Sequence, residues 1–506
     1  MAKTVAKTKK VDLELPKTSK GKVPAAPAKK AAKGKEVAVK ATNVFDPYAN
    51  LEDELDNMEK KVGLTSISVN EKEDRLDAGN LCLNLQMAGG LLAGGWYTFY
   101  GAEQSCKTTL ATTVMGSIVR NLAFQGKAFF FDYEGSFSAE YANQMWAYNG
   151  GGKASQADEV FGQRGRDGEW IIKPRIRSYS PAVGETFYNS MAKVLKSLPS
   201  VLKIEGEYFY IYDNTKANQK MVKGLYDTKY FKKFNKFKVP APHGLPQAVF
   251  LVDSYPAMLS KRMDEDEEGK DGLASQARMH ADGIKRVKGY MKEKRVMVLG
   301  INQLRSVPMV MYGPTEQEPC GQALKYFSDA RFRMSPIAIP HGGGTNGLEQ
   351  EPSITGEGVD TYRYIKCHAF KNKLGGPQKS NMILRLYVSN ANGEALGFDR
   401  VWDCYTYLKE TGQVGGNRSK IKFLEGTPFA GNTLTWMDFK KMIDGDKELI
   451  KAACEKMGIK PIRIYEWCRK QIQSGDGYDL YLDQIKNTHT KKAAKAAEKG
   501  DGDDEE

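Results

Sequence analysis

From residue 92 onward, short apolar runs alternate with stretches of helical periodicity. The runs are GWYTFY (95–100), KAFFFD (127–132), AVFLVD (248–253) and RVMVLGIN (295–302). They are rich in β-branched and aromatic residues, as buried strands are, whereas LATTVMGSIVRNL (110–122) repeats its apolar positions at helical spacing. Buried strands separated by helices are typical of a parallel sheet with helices on both faces. The pattern predicts an α/β fold with a mostly parallel central sheet.

Two later segments predict an antiparallel edge for this sheet. YRYIKCHAF (362–370) and MILRLYV (382–388) are joined by a segment that contains GGP, as two adjacent antiparallel strands would be. We expect a small, mostly helical C-terminal domain at 416–486. Residues 487–506 are expected to form a disordered tail whose last residues are acidic. We therefore expect the core at 79–415, with an inserted subdomain at about 200–245.

The segment before the core contains one amphipathic helix. Leu51, Leu55, Met58 and Val62 have the i, i+4, i+7, i+11 spacing of a single apolar face. We assign residues 49–78 to this helix and a linker. Its apolar face covers either a neighbouring subunit, which would make it an oligomerisation helix, or the core of its own chain.

Charge is concentrated at the amino end. The formal net charge is +13, and residues 1–40 hold twelve lysines against Asp12, Glu14 and Glu36. A lysine-, alanine- and proline-rich segment cannot build a core, so residues 1–48 are predicted to be a disordered basic arm. Such an arm binds nucleic acid phosphates or remains a solvated tail.

The inserted segment interleaves basic and aromatic residues. Residues 203–238 contain nine lysines, nine tyrosines or phenylalanines, and four acids. Rings that stack on bases and lysines that meet phosphates suit single-stranded nucleic acid. The alternative is that the rings form the core of a β-rich subdomain.

Cysteine use and hydropathy restrict the class of protein further. The seven cysteines are scattered and form no CxxC pair, which favours free thiols in a reducing compartment. No apolar run approaches the length of a membrane span, so no membrane partner is expected.

One short segment predicts phosphate binding. GAEQSCKTT (101–109) follows a predicted strand and matches G-x-x-x-x-G-K-[ST], except that Cys106 replaces the second glycine. Lys107 would reach the β- and γ-phosphates, and Thr108 would hold Mg²⁺. If the loop needs a positive φ at Cys106, cysteine costs about 1 kcal/mol relative to glycine. The predicted nucleotide-binding residues of this loop are Gly101, Glu103, Gln104, Ser105, Cys106, Lys107, Thr108 and Thr109.

Two acids end predicted strands of the same sheet. Asp253 ends AVFLVD and is placed to hold Mg²⁺ through water, although an isolated aspartate there is more often a helix cap. Glu134 follows KAFFFD and could polarise an attacking water.

Five blocks in order across residues 75–415 resemble the RecA-type recombinases, in particular those encoded by bacteriophages. They are LDAGNLCLNLQMAGGLLAGGWYTFYGAEQSCKTTL, FFFDYEGSFSAEYA, AVFLVDSYPAML, GINQLRSVPMVMYGPTEQEPCGQALKYFSDARFR and FKNKLGGP. The resemblance implies a RecA-like ATPase core that uses ATP and Mg²⁺. It makes Glu134 the catalytic glutamate, Tyr141 the residue that stacks on adenine, and Gln303 the sensor of the γ-phosphate.

The resemblance also implies contacts outside one subunit. Arg305 and Tyr312 fall in a DNA-binding loop after Gln303, and Arg278 falls near a first DNA loop. Lys371 and Lys373 would act on the ATP of the adjacent subunit. The chain departs from the family at Cys106, at Ser138, where an adenine-contacting aspartate is common, and in the insert before Asp253.

Together these features lead to one favoured function and two alternatives. We expect a DNA-dependent ATPase that forms head-to-tail filaments on single-stranded DNA and promotes strand exchange with double-stranded DNA. The expected location is the cytoplasm, that of a bacterial host if a phage encodes the chain. The alternatives are a hexameric DNA helicase of the same fold and a DNA-binding recombination mediator that does not hydrolyse ATP.

Overall fold

The computed structural model describes residues 75–500, apart from 122–123, 125, 151–159, 199–200, 206–207, 213–231, 234–235, 241–244, 266–271, 307–315 and 341–346. These residues lie in one compact unit, Ser68–Glu506, whereas a second unit, Met1–Ile67, lies outside them. The predicted basic arm and the predicted amphipathic helix are therefore outside the described residues.

The described strands form one large sheet and four small ones. In chain order they are β1 Trp96–Gly101, β2 Lys127–Asp132, β3 Gln163–Arg164, β4 Trp170–Ile172, β5 Ile176–Tyr179, β6 Val201–Glu205, β7 Tyr208–Tyr212, β8 Lys232–Lys233, β9 Lys236–Pro240, β10 Ala248–Asp253, β11 Val296–Gln303, β12 Arg305–Ser306, β13 Glu316–Gln317, β14 Ala330–Ile337, β15 Glu349–Pro352, β16 Val359–Asn372, β17 Asn381–Ser389, β18 Gly397–Phe398, β19 Val414–Asn417, β20 Lys420–Phe423 and β21 Thr433–Leu434. The large sheet has the order β18-β17-β16-β14-β1-β11-β10-β2-β5, and β15 pairs with β16.

The large sheet has a parallel part and an antiparallel edge. From β14 to β5 all neighbours are parallel, and from β14 to β18 all neighbours are antiparallel. The fold class predicted from the sequence, an α/β core with a mostly parallel sheet, is confirmed. The strand pair predicted at 362–370 and 382–388 is β16 and β17.

The described helices are α1 Leu81–Gln86, α2 Lys107–Val119, α3 Ala139–Gly150, α4 Glu185–Ser197, α5 Lys261–Glu265, α6 Gly272–Met291, α7 Ala323–Phe327, α8 Arg400–Glu410, α9 Trp436–Asp444, α10 Lys447–Lys456, α11 Ile464–Ser474 and α12 Asp476–Gly500. Alternate residues of the central strands face opposite layers of helices. Val249 and Leu251 of β10 pack in one apolar cluster with α2, whereas Phe250 packs in another with α4 and α6. This two-sided burial explains why the strands read as continuous apolar runs.

The inserted segment contains a second sheet. Strands β6, β7, β9 and β8 form a four-stranded antiparallel sheet, so the described part of the insert is β-rich, as its sequence suggests. Residues 213–231 of the insert lie outside the described residues.

The C-terminal region contains helices α9–α12 together with a small sheet. Strands β19–β21 form a three-stranded sheet, and Ile421, Phe439 and Ile464 share one apolar cluster with Leu83 of α1. The predicted boundary at 416 is therefore not a break in the core, because residues distant in sequence complete the same packing. Helix α12 continues to Gly500, past the predicted start of a disordered tail at 487.

All seven cysteines are free thiols, as their spacing suggests. Within the described residues, no helix combines the length and apolarity that crossing a membrane requires.

Candidate nucleotide site

The loop between β1 and α2 has the backbone geometry of a phosphate-binding loop. A Cβ at Gly101 would lie 2.1 Å from the Met334 carbonyl oxygen, so only glycine fits where the loop leaves the strand. Cys106, at the N-terminus of α2, has φ 62° and ψ 29°, which is the left-handed region. The loop does need a positive φ at the position where the common pattern has glycine, and cysteine adopts it at a cost. The backbone N–H groups that begin α2 make its N-terminus suited to an anion.

Lys107 is held against its own loop. Its Nζ donates to the Ala102 carbonyl oxygen at 2.6 Å and to Ser105 Oγ at 3.3 Å. Burial lowers the pKa of Lys107, and the charges of Asp253 and Glu134 oppose that shift. A cation that is buried beside two acids and bound mainly to a carbonyl is placed to receive an anionic ligand.

Thr108 and Asp253 meet although 145 positions separate them. Thr108 Oγ1 donates to Asp253 Oδ2 at 2.7 Å, whereas Asp253 Oδ1 is buried and has no hydrogen-bond partner among the described residues. Burial raises the pKa of Asp253 to about 7, the Thr108 hydrogen bond lowers it, and the charge of Glu134 raises it. A carboxylate with an unused buried oxygen beside a threonine hydroxyl fits a hydrated divalent cation.

Glu134 is positioned by two hydrogen bonds to the same oxygen. Ser254 Oγ donates to Glu134 Oε1 at 2.5 Å, and Gln303 Nε2 donates to it at 2.8 Å. The turn that carries Glu134 is fixed by Asp132, whose carboxylate accepts from the N–H groups of Gly135 and Phe137. Because β2 and β10 are parallel neighbours and Asp132 pairs with Asp253, the two strand ends bring Glu134 and Ser254 together.

These side chains surround one cavity of about 400 Å³. It lies at the carboxyl ends of the parallel strands, where ligands bind in open α/β sheets. We call it the phosphate-loop cavity, and its lining residues are Glu103, Gln104, Ser105, Cys106, Lys107, Thr108, Thr109, Glu134, Asp253, Ile301, Gln303 and Arg363. Most residues predicted from the loop sequence are therefore brought together in the structure.

Two polar residues of this site were not found from the sequence. Ser254 could have been noted because it follows Asp253, but its bond to Glu134 depends on strand pairing. Arg363 lies in the alternating strand β16, and nothing in its local sequence distinguishes it from a solvent-exposed cation.

Tyr141 lies on α3 beside the loop but does not line the cavity. Burial raises the pKa of its hydroxyl, and the neighbouring Thr109 side chain opposes that shift. Ser138 Oγ accepts from the Tyr141 N–H at 3.1 Å, so Ser138 begins the helix that carries the ring.

The predicted DNA-binding residues fall in three different settings. Arg305 is exposed in β12, which pairs with β13 and so closes the base of segment 307–315. Tyr312 lies outside the described residues. Arg278 was expected near a loop, but it lies within helix α6, where its side chain is 85% exposed and Nε is 3.7 Å from Asp282 Oδ2.

A buried polar network connects Gln303 to the far end of segment 307–315. Asn302 Oδ1 accepts from the Gln303 N–H at 3.0 Å, and Asn302 Nδ2 donates to Glu318 Oε2 at 3.2 Å. Glu318 also forms a buried ion pair with Arg331. Both ends of the segment are thus fixed beside the cavity.

Lys371 and Lys373 do not line the phosphate-loop cavity of their own chain. Thr98 of β1 and Lys371 of β16 both pair with Arg331 of β14, so Lys371 lies at the level of Thr98 in the sheet. Thr98 is three residues before Gly101, where the loop begins. Its Nζ donates to the carbonyl oxygens of Lys325 and Tyr326 at 2.6 and 2.8 Å. Burial, and next the charge of Lys373, lower the pKa of Lys371 to about 8.

Comparisons with known proteins are consistent with this geometry. Residues 246–387 match the family model of the RecA N-terminal domain. Protein RecA of Aquifex aeolicus (strain VF5) is 24% identical over 344 residues, which cover 66% of this chain and 73% of that protein. Protein RecA of Aquifex pyrophilus is 32% identical over 130 residues, which cover 26% of this chain and 33% of that protein.

A solved structure is also similar. The crystal structure of the RadB recombinase is 17% identical, with a TM-score of 0.34 over 62% of this chain and 96% of that chain.

Proposed function

We propose that this chain, as a relative of the RecA family, is a DNA-dependent ATPase that forms filaments on single-stranded DNA. In these filaments it would promote pairing and strand exchange with double-stranded DNA during recombination and repair. The observation that carries this proposal is the position of Glu134. Its carboxylate lies in the phosphate-loop cavity and accepts a hydrogen bond from Gln303. Segment 307–315 begins a few residues after Gln303 in the chain.

The described residues fit ATP with Mg²⁺. Lys107 and the N–H groups of the loop would hold the phosphates, and Thr108 and Asp253 would hold the metal ion, whose charge would stabilise the transferring phosphoryl group. The unused Asp253 Oδ1 supports this assignment. Glu134 would orient a water molecule and accept its proton, and Tyr141 would contact the adenine.

DNA would be bound beside Gln303. Arg305, at the base of segment 307–315, and Tyr312, within it, would contact single-stranded DNA, with Arg278 as a further phosphate contact. A change in the hydrogen bonding of Gln303 would act on the segment through Asn302 and Glu318. Nucleotide binding and DNA binding would thus be coupled, each strengthening the other.

Lys371 and Lys373 would complete the ATP site of a neighbouring subunit. This is supported by their position, since neither reaches the cavity of its own chain. Head-to-tail contacts of this kind build open filaments when the rotation between subunits does not close. Mixing Glu134→Gln with the Lys371→Ala, Lys373→Ala double variant should restore activity at about a quarter of the interfaces, if subunits assemble at random. No recovery in filaments shown to contain both variants would contradict action between subunits.

Two finer assignments complete the proposal. The insert before Asp253 and the non-glycine residue at position 106 support a phage-encoded recombinase that acts in the cytoplasm of a bacterial host. The basic arm and the insert would add DNA contacts.

An ATPase assay with and without single-stranded DNA tests the proposal. We expect turnover to rise when DNA is added, and electron microscopy with ATP and DNA to show filaments. Closed rings would favour the helicase. DNA binding without hydrolysis under any condition would favour the mediator, and no binding of DNA or ATP would contradict all three functions.

A further inference from the structure

Arg363 is a lining residue of the phosphate-loop cavity that has no role in the function proposed above. It is half-buried on β16, near the antiparallel edge of the sheet. Its charge acts on the Cys106 thiol, because it opposes the burial that raises the pKa of that thiol to about 11. Arg363 therefore lies close to the loop at the N-terminus of α2.

Strand register explains how Arg363 reaches the loop. Gly101 pairs with Met334 of β14, and Met334 pairs with Cys367 of β16, so these three residues are level across the sheet. Because β16 is antiparallel to β14, Arg363 lies four residues beyond this level, past the carboxyl end of β1. Positions 363, 365 and 367 share one face, and Ile365 and Cys367 pack in the same apolar cluster as Leu110 of α2.

The guanidinium group of Arg363 is available for a ligand. Among the described residues it forms no hydrogen bond or ion pair, although the cavity is lined by the acids Glu103, Glu134 and Asp253. Its only fellow cation in that lining is Lys107, which is bonded to its own loop. A guanidinium group in this lining adds to the positive charge that Lys107 offers an anionic polyphosphate.

We propose that Arg363 binds the phosphate chain of the nucleotide held in its own subunit. Guanidinium groups match phosphate oxygens through paired hydrogen bonds, which gives arginine an advantage over lysine at such sites. This role deepens the proposed ATPase function and rests on it. It would give this chain an intrasubunit phosphate contact from the antiparallel edge of its sheet, beside the contacts of the loop itself.

Equilibrium binding of fluorescent ATP, ADP and AMP analogues to the full chain tests the role of Arg363. For Arg363→Gln we expect affinity for the ATP analogue to fall about tenfold, since a charged hydrogen bond is lost at a partly exposed position. The loss of affinity should be largest for the ATP analogue, smaller for ADP and smallest for AMP. Adenosine should compete equally well in Arg363→Gln and in the wild type. Arg363→Lys should recover part of the loss, because it restores charge without the paired geometry.

Lys366→Gln is the matched control, since Lys366 is an exposed cation three positions along the same strand. It removes the same charge and should leave nucleotide affinity unchanged. Equal ATP affinity for Arg363→Gln and the wild type would overturn the inference, as would an equal loss in Lys366→Gln or an equal loss for adenosine. A wild-type chain that binds no nucleotide would instead contradict the proposed function, and so the two failures are distinct.

Discussion

Arg363 lies on β16 and Arg385 on the neighbouring strand β17, close together in the sheet. The two side chains have different surroundings, because Arg385 is buried in ion pairs whereas Arg363 lines a cavity. Arg385 pairs with Tyr364, next to Arg363, and its side chain is fully buried on the other face of the sheet. Its Nε donates to Asp399 Oδ2 at 2.6 Å and its Nη1 donates to Glu351 Oε1 at 2.6 Å. Arg363 faces a cavity and has no such partner among the described residues.

The two arginines differ in what their charges contact: Arg385 is paired inside the fold, whereas Arg363 is left for a ligand. Asp399 also caps α8, and Glu349 accepts from Arg385 Nη1 at 3.2 Å, so the Arg385 cluster joins the sheet edge to the C-terminal region. The charge of Arg385 is neutralised within the fold by ion pairs with Glu349, Glu351 and Asp399. In the phosphate-loop cavity, the buried Asp253 Oδ1 has no hydrogen-bond partner among the described residues, and the half-buried Arg363 forms no ion pair with them. A buried polar atom without a partner is costly, and at Asp253 Oδ1, which lies in a cavity, a bound ligand would supply the partner.

The largest expected effect is on catalysis in the cavity. Glu134→Gln should lower ATP turnover by about a hundredfold to ten-thousandfold, because the amide cannot accept a proton from water. ATP binding should persist, since the Gln carbonyl oxygen can accept both hydrogen bonds that reach Glu134 Oε1. Steady-state hydrolysis and equilibrium binding measure the two effects, with Glu140→Gln on α3 as an exposed control. Near-normal turnover in Glu134→Gln would show that another group activates water.

The next effect is on stability in the Arg385 cluster. Arg385→Ala should lower the free energy of unfolding by about 3–5 kcal/mol, because it leaves the buried Asp399 carboxylate without its cation. Arg363→Ala, on the adjacent strand, should lower it by less than about 1 kcal/mol. Chemical denaturation without nucleotide measures both. Similar losses for the two variants would show that both arginines stabilise the fold equally.

A smaller, pH-dependent effect is expected at Asp253. Because its pKa is raised to about 7, the folded chain holds a proton that the unfolded chain releases above about pH 4, so stability falls as pH rises toward 7. Asp253→Asn removes this penalty and should stabilise the nucleotide-free chain by about 1–3 kcal/mol at pH 8, with the gain shrinking toward pH 4.

Thermal or denaturant unfolding across that pH range measures the gain at Asp253. ATPase activity should be lost in the same variant. Glu357→Gln, which changes an exposed acid, should show no such trend. A destabilised Asp253→Asn at pH 8 would mean that the carboxylate is stabilising in the absence of ligand.

The smallest effect is expected at Cys106. Cys106→Gly relieves a left-handed backbone cost of about 1–2 kcal/mol but adds about 0.5–1 kcal/mol of unfolded-state entropy, so a net gain of about 0.5 kcal/mol is expected. Cys106→Ala keeps the backbone cost and should show no gain. Denaturation of the three chains under one condition tests this. A glycine variant less stable than the alanine variant would show that the strain is not relieved.

The sequence by itself determined the parts that depend on local chemistry. The apolar runs marked the central strands because residues buried on both faces must be apolar, and the glycine, lysine and threonine spacing marked the phosphate loop. Asp253 and Glu134 could be placed at one edge because parallel strands end together. Even the strain at Cys106 followed from the pattern.

The tertiary structure alone decided which distant residues complete the site. Ser254 reaches Glu134, Glu318 reaches Asn302 and Arg363 reaches the loop only through strand order and register, which no local pattern fixes. The same is true of the C-terminal strands and helices, whose apolar residues fill a core begun by α1. On a strand with alternating apolar and polar residues, the sequence does not show whether an arginine or lysine contacts an acid, solvent or a ligand. Packing determines which of these it meets.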